Sequence, residues 1–456
     1  MKKIRFVAFF TCLAVWVGIL SVPAAAQVLY PYPESEGNRV ESASAMLVYL
    51  GVTSADDVVL YEKEADIPYS PGALVRVMVG AYAMKAIEEQ ALDLDAVQGT
   101  YTLEMFNTTI AGTGLGNCNM AFGETWTLRD LLTASMVTTA ADAALTMAVA
   151  ISGSEAAFVS GMNELAAELG CTGSHFTNVT GLHDPDQYMT ARDTVAITRY
   201  AADYPALRNM MELSQYTVTP VSNGSTRSWP ASNELLRSVS PYYDADVAYG
   251  RTGFADDRYA VVAMGSKAGY EYMAVALGAP KTGDNGEAGV HYRDVSRLLD
   301  WGFKDFAYKT LLQKNEPVGR IDVDLSWNTD SVALVPATDF STIVASGVDA
   351  SQIIRVVTKN QETLTAPVEK DQVLGKVELY LNIDQKIGEV ELVAAESVER
   401  SDLLAAWEKF RQFLGSPWFY AGILLIGLLL LGYVVLNIVH NRNRRRQGRK
   451  KVRRFK

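Results

Sequence analysis

Residues 67–84 read IPYSPGALVRVMVGAYAM, and from position 72 to 90 the chain is rich in Ala, Val and Met and apolar on most faces. That pattern predicts a helix buried inside a domain, because a surface helix keeps a polar face. Residues 127–152 repeat the pattern and predict a second long buried helix, and 154–169 a third, with Gly170 as its stop. Moving outward, residues 45–50 and 58–60 read as short strands, and 259–264 and 272–277 as strands paired around the turn 266–270. A helix over 294–306 closes this region. Helices in the middle with strands at both ends predict an α+β domain, 27–310, whose sheet is built from the two ends of its own sequence.

The texture then changes. Five β-type runs, 318–325, 331–335, 353–358, 377–381 and 389–393, are separated by turn-prone residues and predict an all-β sandwich over 315–397. Between 399 and 415, Leu403, Trp407, Phe410 and Leu414 recur on one helical face. This helix is expected either to lie in a headgroup plane or to serve as a stalk. Residues 418–439 form an apolar run of 22 residues without a charge. As a helix they span roughly 33 Å, enough to cross a bilayer.

Charge is segregated along the chain. The 456 residues hold 41 Lys plus Arg and 52 Asp plus Glu, a net charge of −11. Ten of the bases fall in the last sixteen residues, and Lys2, Lys3 and Arg5 open the chain. Residues 27–440 therefore hold 28 bases against 52 acids, a net of −24, with no basic stripe, so nucleic acid is not an expected partner. Residues 1–26 have a basic leader, an apolar run and Ala24-Ala25-Ala26, the pattern of a cleaved secretory signal, with an uncleaved anchor as the alternative. The basic segment 440–456 follows the apolar run and is expected to stay in the cytoplasm, which places the large domains outside the cytoplasmic membrane.

The stretch 67–84 also resembles the start of the catalytic helix in the serine D-Ala-D-Ala carboxypeptidases, the low-molecular-weight penicillin-binding proteins. Other landmarks fall in the same order. Gly123-Glu124-Thr125-Trp126-Thr127-Leu128-Arg129-Asp130 looks like that family's lead-in to its second motif. Asn178-Val179-Thr180-Gly181-Leu182 and Thr190-Ala191-Arg192-Asp193 look like its later signature. Residues 298–303, LLDWGF, resemble the end of its first domain, and 366–381 its carboxy-terminal domain. The resemblance covers about 40–397 and implies a penicillin-binding/β-lactamase-like fold, a peptidoglycan stem peptide as ligand and no cofactor.

In that family three motifs, S-x-x-K, S-x-N and K-T-G, meet in one cleft. Here Ala73 stands at the nucleophile position and Arg76 at the base position. Alanine has no attacking atom, and an arginine stays protonated and does not accept a proton. No serine in the chain is followed three residues later by lysine. Thr139-Ala140-Ala141 replaces the second motif, keeping a hydroxyl at Thr139 and losing the amide at Ala141. Arg251-Thr252-Gly253 falls at the third, where the resemblance implies a strand edge that grips a terminal carboxylate, and an arginine fork suits a carboxylate.

The expectation is a pseudoenzyme that binds wall peptide or a partner protein. The competing expectations are an active serine carboxypeptidase, a rewired enzyme using Thr139, and a structural spacer with a vestigial, side-chain-plugged cleft. Zinc spacings are absent, and no glycine-rich phosphate loop is expected. His183-Asp184 reads as a loop pair, and a Cys118–Cys171 disulfide is left open.

Overall fold

The computed structural model describes residues 30–35, 38–220, 222 and 224–452, so the expected signal segment 1–26 lies outside the described residues. The described chain divides into two compact units. One runs to Lys309 and includes Ser341–Gln352 and Leu381–Ile387; the other comprises Thr310–Phe340, Ile353–Tyr380 and the residues from Gly388 on.

The first unit is organised on a five-stranded sheet. Its strands are β1 (Ser44–Tyr49), β2 (Val58–Lys63), β3 (Val247–Ala255), β4 (Arg258–Lys267) and β5 (Tyr270–Pro280), in the order β2-β1-β5-β4-β3. Every pairing is antiparallel, and β1 closes on β5 with Ala45 opposite Ala276 and Leu47 opposite Ala274. The two ends of the domain sequence thus share one sheet. On one face, Met46, Val48, Val262, Met264, Met273 and Val275 pack against the helical layer. On the other, Leu47, Val261, Ala274 and Ala276 pack with Val295, Leu298 and Leu299 of the closing helix. Alternate strand residues point to opposite faces, and both faces are covered.

The helical layer begins with a 3₁₀ turn, Gly72–Val75, that runs into α1 (Arg76–Glu89). Ten of the fourteen residues of α1 are buried, as its lack of a polar face requires. The expected single helix over 127–152 is corrected to two: α2 (Leu128–Thr138) and α3 (Ala141–Ser152). The break is Thr139, held left-handed at φ 56°, ψ 26°, which ends the ladder of α2 before Ala140 starts α3. Apolar periodicity is blind to this break, because Val137 before it and Ala140 and Ala141 after it continue the buried pattern. Helix α4 (Glu155–Glu168) starts on Ser154, whose hydroxyl accepts from Ala157 N, and Gly170 follows it at φ 73°. Helices α5 (Ala191–Ala202) and α6 (Val290–Asp305) complete the frame, α6 beginning four residues earlier than the sequence suggests.

The second unit is β-rich. Its strands are β6 (Gly319–Asp324), β7 (Ser331–Pro336), β8 (Ile354–Lys359), β9 (Thr363–Thr365), β10 (Val373–Asn382) and β11 (Gln385–Ala394), in the order β8-β10-β11-β7-β6-β9. In β6, Ile321 and Val323 are buried while Arg320, Asp322 and Asp324 are exposed, the alternation of a half-buried strand. Helix α7 (Asp402–Leu414) starts on Ser401, whose hydroxyl accepts from Leu404 N. Leu403, Trp407, Phe410 and Phe413 of α7 are exposed. Helix α8 (Pro417–Val452) follows. Its part Pro417–Arg444 is the one helix among the described residues long and apolar enough, by length and composition, to cross a membrane.

Candidate functional site

Three backbones converge at the start of α1, and small residues allow the approach. A Cβ on Gly253 would lie 2.1 Å from Pro71 O and 2.5 Å from Leu74 N, so β3 presses directly on the 3₁₀ turn that carries Ala73. Gly181, at φ 73°, is as tight, since a Cβ there would lie 2.6 Å from Gly72 O and 2.9 Å from the Cα of Ala73. Any larger side chain at either position would separate the segments.

Above this junction opens a cleft of about 480 Å³. Ala73, Thr139, Thr252 and Gly253 line it, so the structure brings together one position from the first sequence motif, one from the second and two from the third. The Thr252 hydroxyl donates to Ala260 O at 3.1 Å across the sheet. Ala141 is fully buried away from the wall, and its N–H donates to Gly116 O at 2.8 Å. The loop that carries Gly116 is held a second time by Asp142, which is 1% exposed and accepts from Cys118 N and Met120 N at 3.0 Å each.

Both motif arginines are buried and turned to backbone acceptors. Arg76 is fully buried and gives its donors to backbone: Nη1 to Val179 O at 2.9 Å, Nη2 to Thr180 O at 2.8 Å and to Thr139 O at 3.4 Å. Arg251, assigned from sequence to grip a carboxylate, is corrected. It is 2% exposed, is absent from the cleft wall, and donates through Nη2 to Ser135 O at 3.3 Å. The acceptors explain both orientations. Ser135 and Thr139 lie at the carboxyl end of α2, where the last carbonyls have no intrahelical partner and carry the negative end of the helix dipole. Two guanidinium groups therefore cap one helix end, and Ser232 N adds a third donor on Val137 O at 2.9 Å. Burial pulls Arg76 down to about 10, against the opposing pull of Asp142 and Glu155. Burial and the charge of Arg76 pull Arg251 down to about 9. Both remain cations at neutral pH, so neither is a proton acceptor.

Thr180 and Gly181 of the later signature also line the cleft, whereas the remaining wall was not visible in the motifs. Gly114, Leu115 and Gly116 come from a glycine-rich run that nothing in the sequence ties to the cleft. Tyr242, Tyr259, His291 and Tyr292 form an aromatic side, with His291 stacked on Tyr259 at 4.5 Å and 3°. His291 is 3% exposed, its Nδ1 has no hydrogen-bond partner, and burial pushes its pKa down to about 3, so the ring is neutral. Glu234 and Lys281 are the charged residues of the wall. Lys281 opens the chain's one literal Lys-Thr-Gly, residues 281–283, which lies after β5 and outside the strand that carries the third motif. The order of motifs along the chain, rather than their letters, was the better guide.

Two other sequence candidates resolve here. Ser70 Oγ lies 3.2 Å from His183 Nδ1, but neither residue lines the cleft and His183 is exposed. Cys118 and Cys171 are separate free thiols, both buried. Among the described residues, no group of three or more His, Cys, Asp or Glu is placed to hold a metal ion.

Residues 33–281 match the family model described as D-alanyl-D-alanine carboxypeptidase, and 306–400 match that of the penicillin-binding protein 5 C-terminal domain. The chain is 27% identical over 382 residues to the D-alanyl-D-alanine carboxypeptidase DacC of Escherichia coli, covering 80% of this chain and 88% of that protein. It is 23% identical over 362 residues to DacF of Bacillus subtilis, covering 77% and 87%. Among solved structures, penicillin-binding protein 5 of Haemophilus influenzae superposes with a TM-score of 0.59 at 22% identity, covering 79% of this chain and 98% of that one. The DacD carboxypeptidase of Francisella tularensis gives 0.62 at 18%, covering 80% and 95%. A match over more than half the chain, on the domain that builds the cleft, makes this protein a member of the D-alanyl-D-alanine carboxypeptidase family.

Proposed function

We propose that this chain is a catalytically silent family member that binds peptidoglycan stem peptides at the outer face of the cytoplasmic membrane. The observation that carries the reading is the inner end of the cleft. The position that would attack is Ala73, and the position that would take the proton is a buried arginine whose two Nη groups donate to three carbonyls. A hydroxyl needs a base within hydrogen-bond reach to attack an amide at neutral pH. Thr139 offers the hydroxyl of the second motif, yet the cation nearest to it in the motif scheme, Arg76, meets it only by donating to its carbonyl. An acyl-enzyme has no route by these residues. The cleft itself is open rather than filled, which favours a binding role over a spacer.

The membrane part of the reading rests on α8, with α7 as an interfacial helix before it. The positive segment 440–456 then lies in the cytoplasm and the two larger units outside. The relatives' names also support an active carboxypeptidase as the alternative, and one assay separates the two. Purified protein is incubated with fluorescent penicillin and, separately, with a D-Ala-D-Ala peptide, beside an active relative. The expected outcome is no covalent band and no released D-alanine. A stable band, or D-alanine release above that of a heat-treated control, overturns the proposal.

A further inference from the structure

Two guanidinium groups lie next to the cleft wall on its protein side. Arg76 donates to the carbonyls of Thr139 and Thr180, and both of these residues line the cleft. Arg251 precedes Thr252, another wall residue, in β3. The two cations are close enough for the charge of Arg76 to act on Arg251. Their surroundings differ. Arg76 uses both Nη groups and lies in the field of the Asp142 and Glu155 carboxylates. Arg251 is 2% exposed, and among the described residues it donates one hydrogen bond, to Ser135 O at 3.3 Å. Its Nε has no partner, and neither has the Nε of Arg76. None of the ion pairs among the described residues includes Arg251. The groups acting on its charge are Arg76, a like charge, and the phenol of Tyr292, which burial keeps protonated at neutral pH.

We propose that the Arg76–Arg251 pair binds one small inorganic monoanion, with the size and charge of chloride, on the buried side of the cleft wall. A full charge taken out of water without a counter-charge is costly, and a buried donor without an acceptor adds to that cost. The carbonyls at the end of α2 supply only the partial negative charge of a helix terminus. A water molecule at the free donors would accept their hydrogen bonds but leave the charge of Arg251 unmatched. The excess is a single charge, because Arg76 already shares the field of two carboxylates and Arg251 has none. Two leftover Nε donors suit a halide, which accepts from any direction, better than a tetrahedral oxyanion with four oxygens to satisfy. Burial and the charge of Arg76 pull Arg251 down to about 9, and a bound anion opposes both effects. The site stands whether or not a peptide enters the cleft.

The test uses the full chain in detergent micelles at neutral pH, with sodium gluconate exchanged for sodium chloride at constant ionic strength. Thermal unfolding should move upward with chloride and reach a plateau, a shift of about 3 °C once chloride is far above its dissociation constant. Bromide should substitute for chloride. Equal Tm values in chloride and gluconate, or a rise without a plateau, overturn the proposal. Chlorine NMR reads binding directly on the folded wild-type protein, as line broadening that saturates and is competed away by bromide. Broadening that does not saturate also overturns it. Arg251→Met should abolish both responses, and a chloride response unchanged in that variant overturns the assignment to this pair. Arg251→Lys keeps the charge and gives a second reading if the Met variant does not fold. It should bind chloride at least about threefold more weakly, because an ammonium lacks the Nε donor, and unchanged affinity overturns the assignment in the same way.

Discussion

The inner end of the cleft and its rim hold cations of equal formal charge with opposite roles. Arg76 and Arg251 are at most 2% exposed and are held by the carboxyl end of α2 and by the Val179 and Thr180 carbonyls. Lys281 has a half-exposed side chain and one exposed acid as its partner. Inside, burial keeps solvent from taking over a lost hydrogen bond, so each carbonyl deprived of its donor bears a full desolvation cost. At the rim, solvent replaces whatever is removed. The comparison teaches that a cation at a motif position can be taken up by backbone acceptors of the fold while a cation elsewhere in the sequence reaches the cleft.

The largest effect expected is chemical. Ala73→Ser alone should stay at background in fluorescent-penicillin labelling, because the new hydroxyl has only a protonated arginine beside it. Ala73→Ser with Arg76→Lys should label at least about 10²-fold faster than the single variant, the usual contribution of a positioned base. Labelling by the single variant would break the claim that the inner cations have left chemistry.

Stability comes next. Arg76→Met leaves three carbonyls without their donor and should cost about 3 kcal/mol in urea unfolding, at roughly 1–3 kcal/mol for each buried group left unsatisfied. Lys281→Ala should leave the same midpoint unchanged. Similar midpoints for the two variants would erase the contrast between interior and rim.

A pH series sharpens it further. Folded His291 stays neutral to about pH 3, whereas the unfolded ring protonates near its ordinary 6.5. As pH falls through that window the unfolded chain takes up a proton that the folded one does not, so stability is lost on acidification. His291→Phe should flatten the dependence by one proton, about 1.4 kcal/mol per pH unit. Asp57, pushed up to about 6 by burial, tilts stability the other way between 3.8 and 6, and the substitution leaves that contribution in place. The smallest effect belongs to Thr139, whose left-handed backbone is unfavourable for a side chain. Thr139→Gly should stabilise by up to about 1 kcal/mol, read as a shift in urea midpoint. Destabilisation would mean that the hydroxyl, rather than the turn alone, holds the wall.

Much of the site was legible before any coordinates. Ala73, Thr139, Thr252 and Gly253 fall in motif order, and all four line one cleft. The aromatic side was not legible, because Tyr242, Tyr259 and His291 lie on separate elements with no shared spacing and meet only when β4 packs beside the start of α6. The direction of Arg251 was hidden for a similar reason. Its acceptor, Ser135 O, is 116 residues away, and a long flexible side chain on a strand reaches either a cleft or a helix end.

Local chemistry is written in the letters themselves. The missing hydroxyl at Ala73, the guanidinium at Arg76, the buried character of α1 and the apolar length of α8 follow from residue identity and period, and no folding changes them. What a group faces is a property of its neighbours in space. Only the tertiary structure decided that Arg76 and Arg251 close the end of α2, that Thr139 breaks a continuous apolar pattern, and that Lys281 arrives at the wall already matched by Asp257. Each of these depends on acceptors, strain or charges brought together by packing, and sequence periodicity carries no information about such partners.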